Sequence, residues 1–444
     1  MEGGKVTKTR LVLVSLLILG VFALALGIAG CGSDTTTTTT AAPATDTTAA
    51  PSSDTTAAPT GEAETLRIGL LTNKGWPLGV NFLMNMDVWE AMVNNAGGFD
   101  VGGKKYKIEF VSYDHTGDQA QAISYMNRLV FEDKVRYVFS DPSVVDPLIA
   151  IAEKNKVIYA CSFPTQALIA TTNNYSFYAD ATVTLSGNIP NWLKQAYPGK
   201  NKIAVIYPDS EMGHVAAEVG GGTVFIKSLG FELTQIFVPP AHTDLSSIGT
   251  KIATVNPDFV TCQATGDQIQ GSVFNAAYAA GYRGVFVNGG AQSIEDGKAF
   301  INPDALNLMV QFASGLAFDP PTNDVGKAFK AEWIAQNGNF ENGSLDIGEP
   351  FTPWLIAAMQ KAGSIEPDAL GPAVKSGLTW TGAFGSYQMI GPNSPDDPTT
   401  QCMVDISTMK VVDGVGVLVD YFPLEQTIKW YYENVAALAA SQGN

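Results

Sequence analysis

The 444-residue chain contains only three histidines and four cysteines, and neither set forms a metal or catalytic signature. His115, His214 and His242 belong to no metal-protease helix motif and no close ligand pair, and read as exposed loop residues. The chain has no G-x-S-x-G elbow. Its glycine run, Gly220-Gly221-Gly222, lacks the Lys-Ser or Lys-Thr of a phosphate loop and reads as close packing inside a helix. Asp114 and Asp118, in YDHTGDQ, are a possible carboxylate pair on spacing, but Asp118 fits better as a helix cap. No nucleophile, general base, metal site or cofactor follows from these residues, so the chain does not read as an enzyme. Basic residues are also scarce: 26 Lys and Arg stand against 43 Asp and Glu, for a net charge of −17. Such a surface repels nucleic acid and anionic lipid headgroups.

The amino terminus has a different character. Lys5, Lys8 and Arg10 precede an uncharged apolar stretch from Leu11 to Ile28, the layout of an export signal. A membrane-spanning helix is the alternative, and it too leaves the following segment outside the cell. Ile28-Ala29-Gly30-Cys31 resembles the lipobox of bacterial lipoproteins, which implies lipidation of Cys31 and removal of residues 1–30. That cleavage takes away Glu2 with the three basic residues and makes the mature chain still more acidic. Asp34 to Thr60 is almost entirely Thr, Ala, Pro, Asp and Ser, and cannot bury enough apolar surface to offset the entropy of ordering it. Residues 31–64 therefore read as a lipidated tether, spanning about 30 Å on average and about 100 Å at full stretch. Cys161, Cys262 and Cys402 lie in apolar, strand-like contexts and read as buried free thiols.

From Leu66 onward, about 380 residues exceed one compact core and predict two domains. Short apolar runs such as LRIGLLT, VRYVFS, VIYACS, KIAVIYPD and GVFVNGG alternate with helical periodicity, as in Phe82, Met86, Trp89 and Val93. Strands alternating with helices predict parallel sheets covered on both faces. Two such runs are separated by an irregular stretch around Asn173 to Gly187. Ligands bind beyond the carboxyl ends of such strands. That rule selects the loops Thr72–Gly79, Tyr113–Asp118, Ser140–Asp146, Ser162–Gln166, Pro208–Gly213, Gln263–Gln268 and Asn288–Ser293.

Within this pattern, VNNAGGFDVGGKKYKIEFVSYDHTGDQAQAISYMNRLV resembles the amino-terminal lobe of type I solute-binding proteins of ABC importers, in the branched-chain amino acid class. The likeness continues in order through IAEKNKVIYACSFPTQAL, KIAVIYPDSEMG, AAMQKAGSIEPDAL and WTGAFGSYQM. The resemblance implies an α/β fold of two Rossmann-like lobes with parallel sheets, joined by a three-segment hinge. Lobe one is expected at 65–182 and 316–385, and lobe two at 183–315 and 386–444. It also implies a lipid-anchored, extracytoplasmic protein that captures a small ligand between its lobes and delivers it to a permease. A surface receptor that signals ligand occupancy to a membrane partner has the same fold and is the alternative.

The same resemblance nominates site residues. Ser143 falls where the family offers a hydroxyl to a ligand carboxylate, and Thr165 on the threonine that grips the headgroup. Both sit near expected helix amino termini, which favour anions. Phe163 replaces a small residue whose carbonyl meets the ligand ammonium. In the second lobe, Met212 stands for a tyrosine, and Gly289, Gly290, Ala291 and Gln292 occupy the stretch where a glutamate would hold that ammonium; Thr265 joins the candidate contacts. Asp267 and Glu295 are the nearest substitutes for the missing acid. Trp76, Leu78 and Phe163 are candidate apolar walls. A buried ammonium without a carboxylate is costly, so the expected ligand is amino-acid-like, or a carboxylate or amide with an apolar body.

Overall fold

The computed structural model describes residues 62–442 apart from 164, 181, 220, 240–243, 264–266, 289–293, 314–320, 339 and 341–347. The expected signal, Cys31 and the tether up to residue 61 fall outside these residues, and Glu64, the last residue expected in the tether, already belongs to the first strand. Among the described ones, no helix is long and apolar enough to cross a membrane.

The chain opens with β1 (Glu64–Thr72), α1 (Pro77–Asn95), β2 (Phe99–Val101), β3 (Lys104–Asp114), α2 (Gln119–Phe131), β4 (Tyr137–Ser140), α3 (Asp146–Asn155), β5 (Ile158–Cys161) and β6 (Ser176–Tyr178). It then builds a second lobe from α4 (Thr182–Ala196), β7 (Lys202–Pro208), α5 (Glu211–Val219), α6 (Gly221–Ser228), β8 (Glu232–Val238), α7 (Ser246–Val255) and β9 (Phe259–Cys262), followed by α8 (Asp267–Ala279), β10 (Val285–Asn288), α9 (Ile294–Phe300), α10 (Pro303–Leu306) and β11 (Met309–Ala313). The first lobe is completed by α11 (Asp324–Asn337), α12 (Phe351–Ala362), α13 (Pro367–Lys375), β12 (Thr379–Thr381), β13 (Ser386–Ile390) and β14 (Gln401–Val404). The last elements are β15 (Ile406–Val412), β16 (Val415–Phe422) and α14 (Leu424–Gln442).

The strand order is β12-β13-β14-β6-β5-β4-β1-β3-β2 in one sheet and β16-β15-β11-β10-β9-β7-β8 in the other. This is a two-lobed α/β architecture dominated by parallel pairing. The margins differ from the all-parallel expectation: β2–β3, β12–β13–β14 and β11–β15–β16 are antiparallel. Short hairpin connections explain two of these. The β15–β16 link turns on Asp413 and Gly414, both at positive φ, the arrangement that matches strand twist in a two-residue turn. Gly102 and Gly103 do the same for β2–β3.

Sheet membership also corrects the expected final boundary at 385/386. β13 and β14 belong to the first sheet and β15 to the second, so the last crossing falls on Asp405 alone. α14 touches both sides. Trp430 packs on Phe422 of the second lobe, while the Tyr431 hydroxyl donates to Pro392 O and accepts from Gln401 of β14.

Each sheet has apolar cores on two faces. In the first lobe, Phe82, Met86 and Trp89 of α1 join Trp333 and Trp354 of α11 and α12 on one face, and Met126, Leu129 and Leu148 of α2 and α3 fill the other. Burial on both faces explains why β4 and β5 are apolar without alternation. Cys161 and Cys402 are buried free thiols, whereas Cys262 is only half-buried, at the carboxyl end of β9.

Candidate functional site

Parallel register brings the strand ends of the first lobe into one row. Thr72 lies opposite Asp114, Leu71 opposite Ser140, and Ser140 opposite Cys161. The loops that follow therefore meet. Gly79 at the start of α1 packs so closely on Asn73 that an added Cβ would lie 2.2 Å from its carbonyl oxygen, which explains glycine there. Asp118 caps α2 by accepting from Gln121 N at 2.8 Å, as expected.

The centre of this row is Asp141, which is fully buried. It accepts from Asn73 N at 2.5 Å and from Ser143 N at 2.9 Å, and it also takes the Ser143 hydroxyl proton. Buried His115 stands beside it, with Nε2 3.9 Å from Asp141 Oδ1. His115 Nδ1 accepts from Gly117 N at 3.1 Å, so the neutral ring carries its proton on Nε2, toward the carboxylate. The expectation of an exposed His115 is thus overturned: the β3–α2 loop folds inward over the strand ends. His214 is exposed on α5, where it meets Asp209 and stacks on Phe237. His242 lies outside the described residues.

Above this floor is an open cavity of about 370 Å³, whose wall includes Gly117, Gln119, Ser143, Asp146, Phe163 and Thr165. Ser143, Phe163 and Thr165 are thereby brought together from two loops. The Thr165 hydroxyl donates to Asp146 Oδ1 at 2.5 Å and accepts from Leu168 N at 3.1 Å. Phe163 is half exposed, an apolar face offered to the cavity. Leu78 is instead packed against the first-lobe core, and half-buried Trp76 is the residue before α1, where Pro77 starts the helix. Neither lines this cavity. Met212 lies in α5 with its side chain outside the description, as are the side chains of Asp267 and Glu295; Thr265, Gly290 and Gln292 fall outside the described residues.

Sequence reasoning missed Asp141 and Asp146. Asp146-Pro147 at a helix start is a signal for them, since proline and an acid both suit a first turn.

Two more carboxylates, Glu349 buried and Asp405 half-buried, lie near the lobe junction. Glu349 accepts from Ala383 N at 2.6 Å and the Tyr387 hydroxyl at 3.0 Å. Burial pushes its pKa up to about 7 against these hydrogen bonds. Asp405 spans the crossing itself, accepting from Ser386 N on β13 at 3.0 Å and the Tyr421 hydroxyl on β16 at 2.7 Å. Burial raises its pKa, and the two donors oppose the rise.

Residues 65–407 match the family model described as periplasmic binding protein, and the chain belongs to that family. Among curated proteins, none matches the sequence well enough to count as a relative. The fold is similar to an ABC transporter substrate-binding protein from Aeropyrum pernix, at 16% identity and TM-score 0.65, covering 84% of this chain and 100% of that one. It is similar to a solute-binding protein from Rhodopseudomonas palustris BisB5 in complex with 3,4-dihydroxybenzoic acid, at 19% identity and TM-score 0.63, covering 81% and 98%. A leucine-binding protein from Thermotoga maritima aligns at 16% identity and TM-score 0.61, covering 81% and 99%. The family implies an extracytoplasmic location, and these neighbours are binding proteins rather than enzymes.

Proposed function

We propose that this protein is the lipid-anchored, solute-binding component of an ABC importer, capturing a small amino-acid-like, carboxylate or amide ligand between its lobes and passing it to a permease. The observation that carries this reading is the cavity at the strand ends of the first lobe. It sits where an open parallel sheet binds ligands, and Ser143, Phe163 and Thr165 meet on its wall. The single-residue crossing at Asp405 supports a hinged clamp, since one linking residue absorbs backbone rotation without disrupting either sheet. Cys31 and its tether would keep the clamp at the membrane surface.

A thermal-shift screen with matched amino acids, des-amino acids and amides tests capture. A ligand at 100 times its dissociation constant adds about 2.7 kcal/mol, and no shift from any class contradicts the reading. Cys31→Ser is expected to move the protein from the membrane fraction to the soluble fraction; unchanged fractionation contradicts the anchor.

A further inference from the structure

We propose that Asp146 is a specificity-determining residue, and that the first-lobe wall recognises an ammonium or comparable donor on the ligand rather than a carboxylate. This rests on the solute-binding reading above and narrows it. Among the residues lining the cavity, Asp146 is the single ionisable one, and its side chain is exposed. One oxygen is fixed by the Thr165 hydroxyl at 2.5 Å; the other takes no hydrogen bond from any described residue.

The donors of Ser143 and Thr165 that an anion would need are already used, and the exposed Gln119 side-chain amide that also lines the cavity carries no charge. Ser143 gives both its amide and its hydroxyl to Asp141. The Thr165 proton is committed to Asp146, and the Thr165 amide donates to Phe163 O at 3.1 Å. The start of α3 is weakened as an anion site, because Pro147 has no N–H and Asp146 places negative charge in the first turn. A carboxylate ligand entering here meets a carboxylate with no cation beside it. An ammonium meets an exposed acceptor oriented by Thr165, with Phe163 for its apolar body. Asp146 thus supplies, from the first lobe, the acid that the second-lobe stretch Gly289–Gln292 lacks.

The test titrates the full chain with L-phenylalanine, 2-phenylethylamine and 3-phenylpropanoate, and with L-leucine, 3-methylbutylamine and 4-methylpentanoate. Wild type, Asp146→Asn and Asp146→Glu are compared by calorimetry. The amine-bearing members of at least one series are expected to bind, with the loss of charge in Asp146→Asn costing about tenfold to a hundredfold in affinity. Asp146→Glu, which keeps the charge, is expected to retain binding. Unliganded melting temperatures should agree among the three proteins, because Asp146 is exposed. Binding of the des-amino acids as tightly as the amines, or full amine binding by Asp146→Asn, overturns the inference and leaves the solute-binding reading intact. Silence from all six compounds in wild type counts against both.

Discussion

Replacing Glu349 with glutamine should change how the stability of this protein depends on pH. Glu349 is fully buried between α11 and α12, and its pKa is about 7 against an ordinary 4.5. A carboxyl whose pKa rises on folding binds its proton more tightly in the native state. Stability is therefore intact below pH 4.5, falls as pH rises, and levels off above pH 7. A shift of this size corresponds to about 3 kcal/mol, or about 4 °C in Tm for a chain with about 380 ordered residues. Glutamine keeps an acceptor for Ala383 N and removes the titration, while the Tyr387 hydroxyl turns to accept. The wild type should thus lose about 3 kcal/mol relative to Glu349→Gln between pH 4.5 and 8. Urea unfolding of both proteins across that range measures it. Parallel curves, with a constant difference between variant and wild type, would refute the account of Glu349 as a neutralised buried acid.

Two further perturbations test other parts of the structure. Tyr421→Phe removes a donor that reaches Asp405 across the lobe crossing at 2.7 Å. The loss should be about 1 kcal/mol and larger at pH 7 than at pH 4, because protonation relieves the abandoned carboxylate; equal urea midpoints for variant and wild type at pH 7 contradict this. β16 is the margin of its sheet, and Val415, Val417, Leu418 and Val419 are all exposed, an apolar edge that invites strand pairing between copies. Val417→Glu places an acid opposite Lys410, so light scattering on heating should show slower aggregation with Tm unchanged within about 0.5 kcal/mol of stability.

Much of the architecture is legible in residue order. The non-alternating apolar runs of β4 and β5 announce strands buried on both faces, and the Phe82, Met86 and Trp89 spacing gives the buried face of α1. The loops beyond the strands contain Ser143, Phe163 and Thr165, which the family resemblance nominates and which share one cavity wall. Other features depend on partners far away in sequence. His115 looks like an exposed loop residue until the β3–α2 loop is laid against Asp141. Leu78 reads as a pocket wall until it is packed against the first-lobe core. Asp141 and Asp146 read in SDPSVVDPL as no more than turn and helix-start residues, yet one holds the loop together and the other faces the cavity.

Local order by itself determines the alternation of strands and helices and the excess of acidic over basic residues, since each follows from composition or short-range periodicity. Only tertiary structure decides which donors remain for a ligand: hydrogen bonds from Ser143 and Thr165 go to acids brought close by folding, and a hydroxyl already donating to a carboxylate is not the same reagent as one facing water.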